Sequence, residues 1–375
     1  MDFDLTEEQR LLTDSVTRLL ADQYGFEQRK SLLRTPAGWS ERLWSQYAEL
    51  GLLGLPIPEE YGGFGGGPVD VMLLMQAFGR HLVLEPFLAS IVLGGTALRL
   101  AGSPAQRDEL LPALADGSLK LAFAHGERQS RYDLTDVQTT ARQEGGGWRL
   151  DGAKSVVLHG DCADRLVVSA RTGGSRDEPE GISLFLVDGE ASGLARRGYA
   201  LRDGTRAAEL SLTGTPAELL GERDAALPVI ERVVEAGIAA TAAETIGAME
   251  AMQAMTLDYL KTRQQFGRPI GDNQALQHRS AEMMIALEQG RSMAMLATMS
   301  LDEPDAEERA RSIAMARVGV GQAGRFVSQN AVQLHGGIGM TEEYAVGHFF
   351  RRVMVIEHLF GDTAHHLDRL ADQVA

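Results

Sequence analysis

Trp148-Arg-Leu-Asp-Gly-Ala-Lys-Ser-Val-Val157 marks the point where the hydrophobic rhythm of this chain turns from helical to extended. Its Asp151-Gly152 pair lies between β-prone flanks, which predicts a hairpin turn there. Three β-prone runs follow, residues 165–170, 182–187 and 208–212, separated by turns rich in Gly, Asp and Ser. Together they predict a small antiparallel β domain over residues 118–222, the alternative being edge strands of a helical domain.

On both sides of this segment the period is helical. Thr6-Glu-Glu-Gln9 and Ser103-Pro-Ala-Gln106 are capping boxes, the second with proline at the first helical position and Gly117 as a stop. Leu12, Val16, Leu19 and Leu20 share one helix face. The Gly- and Pro-rich stretch 51–67 reads as a loop that packs its apolar residues. Residues 226–262 are rich in Ala, Met and Ile with no proline after Pro228, and residues 273–299 and 304–334 continue the helical pattern. These lengths predict a bundle. The fold class is therefore α+β, mostly α: an N-terminal helical domain (1–117), a middle antiparallel β domain (118–222) and a C-terminal four-helix-type bundle (223–375).

Of the 375 residues, 44% are hydrophobic and 23% charged, which excludes a disordered or fibrous chain. A net charge of −16 repels nucleic-acid phosphates and anionic lipid surfaces, so neither is an expected partner. The single cysteine, Cys162, forms no intrachain disulfide and has no visible activating partner. The N-terminus is acidic where a signal peptide is basic and then apolar, and no apolar run approaches the roughly 18–20 residues of a membrane helix. A soluble, cytoplasmic protein is expected.

Two stretches carry binding chemistry. In Tyr259-Leu-Lys-Thr-Arg-Gln-Gln-Phe-Gly-Arg-Pro-Ile-Gly271, Arg263 and Phe266, with Gln274 beyond, set a cation, an aromatic face and an amide around a helix break at Gly267. Such a set can hold a pyrophosphate and flank an adenosine, although a surface Arg and a core Phe would use the same residues. In Gln333-Leu-His-Gly-Gly-Ile-Gly-Met-Thr-Glu-Glu-Tyr344, the glycines after a helix end let a phosphate or another backbone approach, or simply stop the helix. No complete Gly-x-Gly-x-x-Gly follows a predicted strand, which argues against a nicotinamide site. His358, Asp362 and His366 have the spacing of a metal-binding helix face, but Gly361 interrupts it and no fourth ligand is evident, so no metal is expected. The Met-rich stretches 249–255 and 283–298 read as packing.

These two blocks, together with Asp2-Phe-Asp-Leu-Thr-Glu-Glu-Gln-Arg-Leu11 and Gly51-Leu-Leu-Gly-Leu-Pro-Ile-Pro-Glu-Glu-Tyr-Gly-Gly63, resemble the acyl-CoA dehydrogenase flavoproteins. More closely, the chain resembles the small subunits of bacterial two-component acyl-CoA dehydrogenases, the pimeloyl-CoA type among them. The resemblance implies that Arg263, Gln265, Phe266, Gln274, Gln333, Leu334, Gly336 and Gly337 contact the ADP half of FAD, with the flavin in a neighbouring subunit. It also implies α,β-desaturation of an acyl-CoA thioester, in which a carboxylate takes the α-proton while the β-hydrogen leaves as hydride. The implied partners are a homologous large subunit in an α2β2 heterotetramer and an electron-transfer flavoprotein or similar acceptor.

The departures from the family are specific. Its Thr-Glu-Pro-x-x-Gly-Ser-Asp segment falls on Phe123-Ala-His-Gly-Glu-Arg-Gln-Ser-Arg-Tyr-Asp133, which keeps the place but not the residues. Its Trp-Ile-Thr flavin cradle falls on Val156-Val157-Leu158, and leucine has no hydroxyl to offer. Its Tyr-Glu-Gly-Thr-like base turn falls on Leu359-Phe-Gly-Asp-Thr363, where Asp362 is the nearest carboxylate. A second family position for the base falls on Gly237, with Glu244 two turns along on the same face, either as a base or as the partner of a buried ion pair. Arg351-Arg352 stands where the family has Arg-Asp and reads as structural. Asp362 and Glu244 are thus the candidate catalytic residues. The expectation is a subunit that lends the ADP-binding part of the FAD site to a catalytic partner. The alternatives are a self-sufficient homotetramer with a relocated base, or a non-catalytic or redirected member. Dicarboxylic, steroid side-chain and fatty acyl substrates all remain open.

Overall fold

The computed structural model describes residues 5–372, so Asp2, Phe3 and Asp4 of the first resemblance block lie outside the described residues. Among the described residues six α-helices come first: α1 (Glu7–Gln23), α2 (Phe26–Leu32), α3 (Glu41–Glu49), α4 (Pro68–His81), α5 (Gly95–Ala101) and α6 (Pro104–Ala115). Seven strands follow: β1 (Leu121–Ala124), β2 (Thr140–Glu144), β3 (Gly147–Leu158), β4 (Arg165–Arg171), β5 (Ile182–Asp188), β6 (Leu194–Ala200) and β7 (Arg206–Leu220). The chain then forms α7 (Leu227–Thr262), the small hairpin β8 (Gln264–Gln265) and β9 (Arg268–Pro269), α8 (Gln274–Ser300), α9 (Ala306–His335), α10 (Ala345–Glu357) and α11 (Thr363–Asp372). Both capping boxes form, each glutamine side chain returning the bond its backbone amide gives. Two compact units result, one from Leu32–Gly67 and Leu84–Gly237, the other from Met1–Ser31, Pro68–Val83 and Ile238–Ala375.

The first unit is organised around the strands. β4 pairs β5, β5 pairs β7, β7 pairs β3, β3 pairs β2, and Thr140 of β2 returns to Arg171 of β4, so the pairings run in a closed ring. β1 adds alongside β4 and β6 alongside β7. Alternating side chains point inward, Leu166, Val168, Phe185, Val187, Ala208 and Leu210 among them, as the period of two requires. The domain is antiparallel as expected, except that β1–β4 and the short β2–β4 contact are parallel. The expected hairpin at Asp151-Gly152 does not form. The chain reverses instead at Gly145-Gly146, both at positive φ, and β3 runs straight through residues 151–152. The Asp-Gly pair sits at a bulge, a use of glycine that local sequence does not distinguish from a turn. In the loop 51–67, Leu52, Leu53 and Ile57 are buried, as expected.

The second unit is helical. All but the first residue of the 226–262 stretch forms one helix, α7, of 36 residues, about 54 Å long. From residue 238 onward α7 packs Ile246, Met249 and Met252 against Met283 and Leu287 of α8, Val327 of α9 and Val353 of α10. Part of the Met-rich sequence is therefore core, as its adaptable thioethers suit. The backbones of α4 and α7 touch through a pair of glycines. A Cβ on Gly79 would lie 1.9 Å from the Glu244 carbonyl oxygen, and one on Gly247 would lie 1.9 Å from that of Gln76. No described helix is long and apolar enough to cross a membrane.

Candidate functional site

The two blocks with binding chemistry meet in the helical unit. The Tyr259 ring stacks on His335 with centroids 4.6 Å apart, and Tyr344 closes on His335 at 5.0 Å. His335 Nδ1 is 2.7 Å from the Ala331 carbonyl oxygen, which fixes the ring at the end of α9. Beyond Tyr259, α7 ends at Thr262 and the chain turns tightly through β8 and β9, closed by the Ile270 amide donating to the Arg263 carbonyl at 2.8 Å. The turn residues Phe266 and Gly267 both have positive φ, +54° and +78°. Phe266 is fully exposed, so its aromatic face serves no core of this chain.

The other residues of the set share that openness. Arg263, Gln265, Gln274 and Gln333 are exposed, and among the described residues the Arg263 guanidinium has no hydrogen-bond or ion-pair partner. Space around Gly336 and Gly337 is open, with no atom within 4 Å of where a Cβ would stand. Leu334 differs, being buried beneath this surface. The structure thus offers an unpartnered cation, exposed amides and an aromatic face, with approachable backbone at the end of α9. These donors suit a pyrophosphate and a purine.

The two candidate carboxylates have other engagements. Glu244, 3% exposed, receives both Nε and Nη2 of Arg352, at 2.6 and 2.7 Å. This is the buried ion pair anticipated as one of its two roles, and it gives Arg352 a structural partner. Asp362 caps α11 by accepting the His365 amide at 2.9 Å, and that hydrogen bond lowers its pKa. The Leu359–Thr363 turn is closely held. Arg317 donates to the carbonyls of Ile356, Glu357 and Gly361 at 2.8, 2.9 and 3.1 Å, and Glu357 accepts from both the amide and the hydroxyl of Thr363. Phe360 rides this turn at φ +59°, and its carbonyl lies 3.0 Å from His366 Nε2. His366 is buried, which lowers its pKa to about 4, whereas His358 is exposed.

In the strand unit, Val156 sits in a second bulge of β3, at φ +52° and 47% exposed. Glu209 of β7 holds the bulge by accepting the Val156 amide at 3.3 Å and the Ser155 hydroxyl at 3.0 Å. Val157 and Leu158 point into buried surroundings. Behind the bulge lies a buried network that sequence reasoning missed. Lys154 Nζ donates to Glu127 Oε1 at 2.7 Å, to Ser169 Oγ at 3.0 Å and to the His125 carbonyl at 3.1 Å. Glu127 also accepts the amides of Gln138 and Thr139 and the Thr139 hydroxyl. Burial pushes the Glu127 carboxyl up, but Lys154 and these hydrogen bonds outweigh it and hold the pKa at about 2. Burial lowers Lys154 to about 8, and burial with the nearby Lys154 charge lowers His125 to about 3. Glu127 thus anchors the segment 123–133, a role visible only once Lys154 is seen beside it.

Profiles of the acyl-CoA dehydrogenase N-terminal, middle and C-terminal domains match residues 6–118, 122–214 and 227–375. The chain belongs to the acyl-CoA dehydrogenase family. Acyl-CoA dehydrogenase FadE12 of Mycobacterium tuberculosis is 31% identical over 356 residues, covering 91% of this chain and 89% of that one. Among solved structures, the Tcur3481-Tcur3483 steroid ACAD has a TM-score of 0.89 at 31% identity, covering 98% of each chain. The ChsE4-ChsE5 complex from Mycobacterium tuberculosis has a TM-score of 0.88 at 26% identity, covering 100% of this chain and 99% of that one. The three-domain acyl-CoA dehydrogenase fold is thus the fold of this chain, and the family is one of FAD-dependent oxidoreductases.

Proposed function

We propose that this acyl-CoA dehydrogenase chain is the small subunit of a heteromeric enzyme that desaturates an acyl-CoA thioester at the α,β position. In this reading it lends its ADP-binding residues to FAD whose flavin ring lies in a homologous large subunit. The observation that carries it is an asymmetry of side chains. Arg263, Gln265, Phe266, Gln274, Gln333 and the Gly336-Gly337 backbone are exposed, with the chemistry an ADP group needs. Val156-Val157-Leu158 offers no side-chain hydroxyl where a flavin ring would need polar contacts, and both candidate carboxylates are already engaged, Glu244 by Arg352 and Asp362 by the start of α11.

When bound, FAD supplies the acceptor for the substrate's β-hydrogen. This chain's part is to hold the diphosphate through the Arg263 charge, to cover the adenine through Phe266, and to leave the proton abstraction to a carboxylate of the other subunit. The bundle region from residue 223 onward carries the clamp, and the segments 1–117 and 118–222 complete the subunit. The names of the Tcur3481-Tcur3483 steroid ACAD and the ChsE4-ChsE5 complex favour a two-chain arrangement. An α2β2 assembly acting on a steroid side-chain, dicarboxylic or fatty acyl-CoA follows, with electrons passed to an electron-transfer flavoprotein or a similar acceptor in the cytoplasm.

Co-expression with a homologue that retains a flavin cradle and a base should give a 2:2 complex carrying two flavins, active on acyl-CoA. The chain purified alone as a tetramer with one FAD per subunit and acyl-CoA oxidation would overturn the proposal. In that case Asp362→Asn and Glu244→Gln would identify the base.

A further inference from the structure

The turn that leaves β3 carries three metal-ligand side chains that the proposed function does not use. His159, Asp161 and Cys162 each present a donor atom, and the three atoms lie within 4.8 Å of one another. His159 Nδ1 and Cys162 Sγ are 3.9 Å apart. A tetrahedral zinc ion, with nitrogen at about 2.0–2.1 Å and thiolate at about 2.3 Å, sets such a pair about 3.6 Å apart. A small movement of the Cys162 side chain closes that difference.

The turn is held in place around these donors. The His159 amide donates to the Arg206 carbonyl at 2.9 Å, tying the start of the turn to β7. Arg196 of β6 donates to the Ala163 carbonyl at 2.9 Å, tying its end. Arg206 then grips one oxygen of Asp161, Oδ2, through Nε at 2.7 Å and Nη2 at 2.6 Å. The other oxygen, Oδ1, is buried and has no hydrogen-bond partner among the described residues. A carboxylate oriented through one oxygen, with the second left over, is how metal ligands are commonly positioned by their outer partners. His159 is buried, while Asp161 and Cys162 are half-buried, which leaves an approach for an ion.

We propose that His159, Asp161 and Cys162 form a three-ligand site for a borderline-soft divalent ion of the zinc class, with the fourth position open to water or an external ligand. The mixed nitrogen, oxygen and sulfur set favours zinc over magnesium or calcium, which take oxygen donors. On capture the Cys162 thiol proton passes to water. The carboxylate and thiolate charges then balance the ion, although Arg206 stands on the far side of Asp161.

The single cysteine makes the test direct. Reduced protein, freed of metal with a chelator and titrated with Co2+, should take one equivalent and develop a thiolate-to-cobalt charge-transfer band in the near-ultraviolet difference spectrum. That band should vanish in Cys162→Ser, and Asp161→Asn should weaken binding about tenfold or more. Independently of any variant, Zn2+ should slow the reaction of Cys162 with a disulfide reagent about tenfold, and chelator should restore the rate. A cobalt complex without the thiolate band, undiminished binding in Cys162→Ser, or a thiol reaction rate indifferent to zinc would each overturn the proposal.

Discussion

Phe266 holds a left-handed backbone that phenylalanine disfavours, on a turn tip where its ring touches no core. Strain of this kind persists where something other than folding requires it. Phe266→Asn should therefore stabilise the isolated chain, on the order of 1 kcal/mol, because asparagine tolerates that conformation. If the ring covers adenine, the same change should weaken flavin retention, and chemical denaturation beside flavin titration of the complex separates the two effects. Arg263→Ala should remove a charge-assisted contact of about 1.5–3 kcal/mol, roughly 10–100-fold in FAD affinity, without changing stability. Unchanged flavin retention would refute its assignment. Glu244→Gln has the opposite profile: it strands the Arg352 charge in the bundle and should cost about 3–5 kcal/mol of stability. An unaltered melting curve with abolished turnover would make Glu244 a base rather than a tie.

At the scale of elements, the long helices and both capping boxes were legible in sequence because their signals lie within a few residues of one another. The closed ring of strands was not, since its pairings join residues up to tens of positions apart and a bulge looks locally like a turn. Asp151-Gly152 is the case in point: bulge and hairpin ask for the same glycine. The residues proposed to clamp ADP form a linear pattern in the sequence, but the Tyr259–His335–Tyr344 contact that unites the two blocks was not legible there. Nor was the buried Lys154–Glu127–His125 group, whose members sit in unremarkable sequence. That group has a measurable consequence. His125 is held at about 3 against an ordinary 6.5, so the unfolded chain takes up its proton first. The stability this contributes is intact above about pH 6.5 and drains as the pH falls toward 3. Glu127, at about 2 against 4.5, contributes stability that is present above pH 4.5 and drains toward 2. Urea midpoints should fall in two overlapping stages below pH 6.5. His125→Gln should flatten the upper stage and Glu127→Gln the lower, whatever either does to the absolute level.

For the whole molecule, the helical unit exposes Phe266, Met340, Ile285, Met284 and Ile338 beside or near the clamp sequences. Large apolar side chains left open in this way commonly mark a surface that another chain covers. Ile285→Lys should leave the melting curve of the isolated chain within about 0.5 kcal/mol of the parent, since the residue supports no core. It should weaken the proposed 2:2 assembly in sedimentation velocity, and an assembly as tight as the parent's would show that this face is not used.

The same unit is assembled from three separated pieces of chain, Met1–Ser31, Pro68–Val83 and Ile238–Ala375. On a ribosome adding about 5–20 residues per second, the first piece emerges roughly 10–40 s before the last begins. Through that interval Val16 and Leu20 of α1 and Leu74 and Phe78 of α4, all buried in the finished protein, have no bundle to enter. The strand unit between them is complete once Gly237 has appeared and can close its ring early. A nascent chain arrested just after Gly237 has cleared the ribosomal exit tunnel should thus display a protease-resistant β core and an N-terminal segment that chaperones still hold.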